Sequence, residues 1–360
     1  MNGKNFRALG LNILLISFST IPDFQGEVFF SNFYNLNLTS LSGLLAQRKQ
    51  KLLNFTGHLN KITMKTISKV FLASLMMIVV PVTISFGQQV IDEGSEPEII
   101  TEGYEFTEGP LWHDSGYLLF SDIPANTVYK WTPGEGAVMY LKPSGHSNGL
   151  TFDGDGNLLL AQHDGLVSRL TKKKLTVVAD NYNGKRLNSP NDLTVKSDGS
   201  IYFTDPSFGV TEEDKELNFN GVYRYSRKDG LQLLVDDFNL PNGIVFSPDE
   251  SRLYVNDTRH NHIRVFDVHE DGSLANGKIF AEMESDAEGA ADGMKVDTDG
   301  HLYSTGPGGL WIFSPDGEVQ QHVKTPARIT NLAWGGSDNS TLFLTAPNAV
   351  YRLETNKTGM

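Results

Sequence analysis

From residue 108 onward the apolar positions fall in short runs, without the spacing of a helix face. "LLF", "LLLA", "IYF", "LYV" and "IVF" are typical, each bounded by Asp, Gly, Ser or Asn. Apolar runs of this length between turn residues read as β-strands. The polar residues at their edges are in register. "EGPLWHDSGYLLFSD" begins at Glu108, "NGLTFDGDGNLLLAQ" at Asn148 and "NDLTVKSDGSIYFTD" at Asn191. "NGIVFSPDESRLYVN" begins at Asn242, "DGMKVDTDGHLYSTG" at Asp292 and "NLAWGGSDNSTLFLT" at Asn331. Each start lies eight residues before a turn residue: Gly116, Gly156, Gly199, Glu250, Gly300 or Asn339. Successive starts are 40, 43, 51, 50 and 39 residues apart.

Each copy predicts a β-hairpin, then a third strand ("TVYKW", "LVSRL", "GVYRY", "HIRVF", "GLWIF", "AVYRL"). The first five copies add a fourth, from "AVMYL" to "EVQQHV". The sixth copy runs out of chain, and "PEIIT" at 97–101 supplies the missing strand. Four strands per unit at this period is the pattern of a propeller blade. The chain therefore predicts an all-β fold: a six-bladed β-propeller of four-stranded blades, over roughly residues 95–355, its last blade closed by an N-terminal strand. Closure leaves few free sheet edges. A β-sandwich is the alternative, but it does not require six units in one register. No WD dipeptide points to the WD40 class.

The first strand of each blade in such a fold lines the central channel. Glu108, Asn148, Asn191, Asn242, Asp292 and Asn331 then converge on one axis near one mouth. Asn-Gly and Asp-Gly are also common turn pairs, which would explain any single position. Six in register, with two carboxylates among them, point to a hard divalent cation: calcium first, then magnesium or manganese. The carboxylates would repel each other without one. No Cys or His in the ring makes zinc less suited. Asn148 and Asn331 are the weakest ligands: Asn148 is a candidate to orient a neighbour instead, and Asn331 a candidate to serve only as structure. Counting back across each hairpin brings Asp122, Gln162, His163, Asp205, Asn256 and Asp257 to the same face as supports. His146 lies in a loop over it.

Composition changes the picture at the N-terminus. "MKTISKVFLASLMMIVVPVTISFGQQ" from Met64 has two lysines, an apolar stretch, and Ser85 and Gly87 before a cut at Gln88. Residues 64–87 are expected to be a secretory signal peptide, the alternative being an uncleaved membrane anchor. Residues 1–63 are expected to be a non-native extension of the reading frame, the alternative being a genuine leader around the apolar residues 8–18. Residues 88–360 are expected to form the functional domain, exported to the periplasm or outside the cell. The whole chain carries a formal charge of −13; residues 1–87 hold eight basic and two acidic side chains, so the rest stands at −19. That surface disfavours nucleic acid and anionic membranes and favours a cation. There is no cysteine, hence no disulfide or thiol nucleophile.

The ring of Glu108 in "TEGPLW", Asn191 in "NSPND", Asn242 in "LPNGI" and Asp292 in "ADGM" resembles the regucalcin/gluconolactonase family of calcium-dependent propellers. The run "GKRLNSPNDLTVKSDGSIYFTDPSFG", residues 184–209, is similar to its bacterial gluconolactonase branch. The resemblance implies that Glu108, Asn242 and Asp292 bind the cation, that Asn191 faces cation and substrate, and that Asp292 is the acid/base of lactone hydrolysis. The animal branch carries an arginine two residues before Asn191; here Ser189 and Pro190 stand there. The expected activity is hydrolysis of a sugar lactone, the cation polarising its carbonyl. His163, Asn148 and Asp205 are further substrate-facing candidates, and His163 or His146 is a fallback base. A covalent acyl-enzyme of the nucleophile-elbow type is not expected. Alternatives are another lactone or a phosphotriester at the same site, or a non-catalytic propeller that binds a partner or carbohydrate. The charged stretch 211–219, "TEEDKELNF", is a solvated loop or a lid.

Overall fold

The computed structural model describes residues 89–360, so the extension expected at 1–63 and the leader expected at 64–87 lie outside the described residues. Among the described residues every regular element is a strand. They form six antiparallel four-stranded sheets and one two-stranded ribbon, a six-bladed β-propeller. Blades 1 to 5 each use four consecutive strands; blade 1 runs Thr107–His113, Tyr117–Asp122, Thr127–Thr132 and Gly136–Leu141. Blade 6 joins Asn331–Gly335, Thr341–Ala346 and Ala349–Glu354 to Glu98–Glu102, the first strand of the fold. Glu98 pairs with Arg352 in that closure, and an ion pair of 2.7 Å links their side chains.

The turn residues explain the repeat. Gly116, Gly156, Gly199, Glu250, Gly300 and Asn339 all adopt positive φ, which a tight hairpin between right-twisted strands requires. Glu250 takes it at 56° despite its side chain. Its carboxylate is held by the Lys196 ammonium at 3.0 Å and by the Ser197 amide at 2.7 Å, on blade 3.

The core is not one mass but six wedges, each between neighbouring blades. Leu159, Ala161 and Val167 of blade 2 pack on Ile201, Phe203 and Tyr223 of blade 3. Tyr303, Leu310 and Ile312 of blade 5 pack on Leu332, Leu342 and Leu344 of blade 6, where Val90 and Ile91 also insert. Side chains alternate between the two faces of each strand, so every blade feeds two wedges. The wedges hold the inner strands at fixed spacing around the channel.

Two features depart from the regular repeat. Asn181–Tyr182 and Lys185–Arg186 pair as a small ribbon between blades 2 and 3, turning at Asn183 and Gly184, both with positive φ. The charged stretch 211–219 is anchored to the body: Leu217 is buried beside Leu187 and Tyr223, and Glu216 accepts the Arg186 amide at 2.7 Å.

Candidate active site

The inner strands aim their first residues inward by local irregularity. In blades 1, 2 and 4 the pairing slips between Glu108 and Leu111, Ser147 and Leu150, and Pro241 and Ile244. Such a bulge re-aims a side chain. In blades 3 and 5 the inner strand shortens to Leu193–Val195 and Met294–Val296, leaving Asn191 and Asp292 just before it. The glycine after four of the six ring residues is not there for a turn. A Cβ on Gly109 would lie 2.0 Å from the Asn148 carbonyl oxygen, and one on Gly243 would lie 2.2 Å from that of Asp292. The Gly243 amide donates to the same Asp292 oxygen at 3.1 Å. Neighbouring blades thus touch backbone to backbone at the mouth.

All six ring residues are buried, between 1% and 4% exposed. Glu108 Oε2 accepts the Gly109 amide and the Asn331 Nδ2, both at 3.0 Å. Asn331, expected as a weak ligand or as a structural residue only, therefore orients Glu108, its own Oδ1 being taken by the Leu332 amide. Asn242 donates through Nδ2 to Thr258 Oγ1 at 3.0 Å. Asn148 donates through Nδ2 to His163 Nε2 at 3.3 Å. In both asparagines Oδ1 is left buried with no donor among the described residues. A buried acceptor without a partner costs about 1–3 kcal/mol. Asn191 is fixed through its backbone: its amide donates to Thr204 O at 2.9 Å and its carbonyl accepts the Gly149 amide at 2.8 Å.

Three carboxyls share this space, one each from blades 1, 3 and 5. Burial, and then the charge of Asp292, push Glu108 well above its ordinary range. Asp292 is pushed up to about 7 by burial, against the pull of the Arg328 guanidinium and the Asn242 amide. Arg328 Nη2 lies 3.3 Å from Asp292 Oδ2 and is itself 41% exposed. The third carboxyl, Asp192, and Arg328 are absent from the sequence-derived set. Asp192 occupies the position that is glycine in four other blades, so it lies outside the register. Its Oδ1 accepts the Leu193 amide at 2.9 Å, while Oδ2 is buried with no donor among the described residues. Burial raises its pKa and the Lys295 ammonium pulls it back.

The supports divide into two kinds. Asp205 is fully buried and takes the amides of Asn188 and Ser189 at 2.9 and 2.8 Å, with its pKa pushed up to about 7 by burial. It holds the loop that delivers Asn191, a different task from the substrate contact expected of it. Asp122 and Asp257 cap the matching loops of blades 1 and 4 through Phe106 and Asn239. Gln162 does so for blade 2, donating to Ser144 O at 2.6 Å. Asn256, in contrast, reaches the ring, bonding the Gly243 amide and the Asp292 carbonyl. His163 stays neutral: burial, and then His146, push it down to about 4. His146 turns away to pair with Asp164 at 2.8 Å on the rim. Ser189, where the animal branch has its arginine, is fully buried.

One stretch does spell the G-x-S-x-G nucleophile elbow: Gly145–Gly149, "GHSNG". Ser147 there opens an inner strand and is fully buried, its Oγ 2.9 Å from Ser121 Oγ. It is not an exposed nucleophile.

The donor set fits a hard divalent cation. Glu108 and Asp292 bring charge, and Asn242 and Asn148 bring carbonyl oxygens whose burial is otherwise uncompensated. A family described as "SMP-30/Gluconolactonase/LRE-like region" matches residues 106–348. The chain is 36% identical over 300 residues to a gluconolactonase from Zymomonas mobilis subsp. mobilis, covering 75% of this chain and 84% of that one. It is 25% identical over 297 residues to a diisopropyl-fluorophosphatase from Loligo vulgaris, covering 72% and 92%. Among solved structures, a gluconolactonase from Xanthomonas campestris is similar with a TM-score of 0.65 at 29% identity, covering 75% and 98%.

Proposed function

Because the chain belongs to the SMP-30/gluconolactonase/LRE-like family, we propose that it hydrolyses a sugar lactone, with a divalent cation, calcium first, at the channel mouth. The observation that carries this reading is the meeting of Glu108 and Asp292 with the donorless Oδ1 atoms of Asn242 and Asn148. Glu108, Asn242 and Asp292 would hold the cation, with Asn148 Oδ1 as a weaker fourth donor, and Asn191 would face it and the substrate. When bound, it supplies positive charge that polarises the lactone carbonyl and stabilises the developing oxyanion.

The remaining work falls to side chains. Asp292 accepts a proton from the attacking water at one carboxylate oxygen as the water oxygen adds to the carbonyl carbon. It returns that proton to the ring oxygen as the carbon–oxygen bond breaks. Arg328 sits beside Asp292 and is exposed enough to meet the sugar hydroxyls. His163 fixes the rotamer of Asn148 and, being neutral, adds no charge against the cation. Export through residues 64–87 remains part of the proposal.

The test is hydrolysis of D-glucono-1,5-lactone by residues 88–360 after chelation, with calcium, magnesium, manganese and zinc then added back singly. Activity lost on chelation and restored by calcium is the expected result; activity indifferent to chelation would overturn the cation's role. A phosphotriester belongs in the same assay, given the likeness to the Loligo vulgaris enzyme and the absence of the sugar-contacting arginine. Turnover of the phosphotriester without any lactone would move the substrate class.

Cation affinity should also depend on pH. Without the cation, Glu108 and Asp292 hold protons to higher pH than free carboxyls do. Binding must expel those protons, so affinity rises as pH climbs through about 7 and weakens below it. Calorimetry in buffers of different ionisation enthalpy reads the released protons directly. Affinity constant from pH 5.5 to 8 would contradict the assignment.

A further inference from the structure

Blade 4 carries a second group of ligand-bearing side chains, away from the channel ring. Asp257 ends the strand Arg252–Asp257 and stands directly across from His262, which opens His262–Val268. His260 lies in the turn between them. The ligating atoms of all three lie within 4.8 Å of one another. His260 Nδ1 is 3.4 Å from Asp257 Oδ2. That gap is long for an N–H···O bond. It matches the separation of roughly 3.4 Å between two ligands that each bind one ion at about 2.0–2.1 Å in tetrahedral geometry. The two imidazoles lie face to face, with ring centres 5.3 Å apart and planes 17° apart.

The site is organised before any ion arrives. The Asp257 carboxylate is locked by the amides of Asn239 at 2.7 Å and Arg259 at 2.9 Å. Glu282 stands opposite His262 on the next strand and adds negative charge nearby. The side chain of His260 is 53% exposed, which leaves water access to the remaining coordination positions.

We propose that Asp257, His260 and His262 form a second metal site, selective for a borderline ion such as Zn2+ or Co2+ and chemically distinct from the oxygen-lined centre. Two imidazoles and one carboxylate suit such ions, whereas calcium takes oxygen alone. The same hairpin reaches the channel. Thr258 Oγ1 accepts Asn242 Nδ2 at 3.0 Å and donates to Ala291 O at 2.7 Å, and Asn261 Oδ1 accepts the Ala291 amide at 2.9 Å. An ion here braces the turn that sets Asn242 and the residue before Asp292.

The experiment is Co2+ titration of the purified, calcium-saturated protein, followed by calorimetry and by visible absorption. One Co2+ per chain beyond the calcium is expected, displaced by Zn2+. His260→Ala and His262→Ala should each weaken Co2+ binding at least as much as the 10–100-fold that losing even an outer partner of a metal site costs. Their calcium stoichiometry should stay that of the unaltered protein. Glu108→Gln, which disables the channel centre, should leave the Co2+ titration intact. Co2+ binding that survives in the His260→Ala/His262→Ala double variant would overturn the site, as would absence of any Co2+ binding to the Glu108→Gln protein.

Discussion

Asp292→Asn is expected to lower lactone hydrolysis by roughly 10²–10⁴-fold while leaving the propeller folded. The amide has the same size and still offers Arg328 an acceptor oxygen at the position now 3.3 Å away. It cannot take a proton from water or return one to the leaving oxygen. It also removes one of three buried carboxyls, so cation affinity should fall as well. The two losses separate when turnover is measured at saturating calcium and calcium affinity is measured independently. Low turnover at full calcium occupancy identifies Asp292 as the acid/base. Recovery of turnover once calcium is saturating would limit it to holding the ion. Activity within about threefold of the unaltered protein at all calcium concentrations would remove it from both roles.

Glu108→Gln should act with opposite signs on binding and on stability. The glutamine Oε1 can still accept the Gly109 amide and Asn331 Nδ2, so the local bonding survives. The charge does not, and calcium binding should be abolished at millimolar concentrations, with activity. The unloaded protein should melt higher than its parent at pH 8. The reason is linkage. A carboxyl whose pKa is raised by folding holds a proton that the unfolded chain releases, so its ionisation opposes folding increasingly as pH rises past the unfolded value. Removing the carboxyl removes that opposition, which is worth about 1–3 kcal/mol for a poorly compensated buried group. At pH 4 the two proteins should melt alike. A variant less stable than its parent at pH 8 would mean that Glu108 is a structural group first.

The contrast between Glu108 and Asp192 shows what the sequence made legible. Glu108, Asn242 and Asp292 are visible because a propeller repeats one backbone register, and a polar residue at one point of that register is polar at the channel. The six turn residues are visible for the same reason, all of them taking the positive φ that the spacing demands. Asp192 breaks the register by standing where glycine lets the blades touch. Arg328 comes from residues 325–330, a connection with no repeat to count along. Asp205 is legible as a support by counting across its hairpin, but the substrate contact also expected of it is not seen, because the amides of Asn188 and Ser189 cover its carboxylate. The G-x-S-x-G spelling at 145–149 is a coincidence of letters that only burial of Ser147 resolves.

The closure of blade 6 also sets an order of events. Glu98 and Arg352, bonded in the finished ring, are 254 residues apart in the chain. During synthesis Glu98–Glu102 is made before any other strand of the propeller, yet its partner Ala349–Glu354 is the last strand to appear. Blades 1 to 5 can zip up locally as they emerge, while this segment waits unpaired through nearly the whole of translation. Contacts of such range are slow to form. A waiting strand is also a template for the wrong neighbour. Its sequence, EIITE, has a glutamate at each end of the strand. Those charges disfavour self-association of the nascent chain, and one of them, Glu98, becomes the ion pair that fastens the ring when Arg352 arrives.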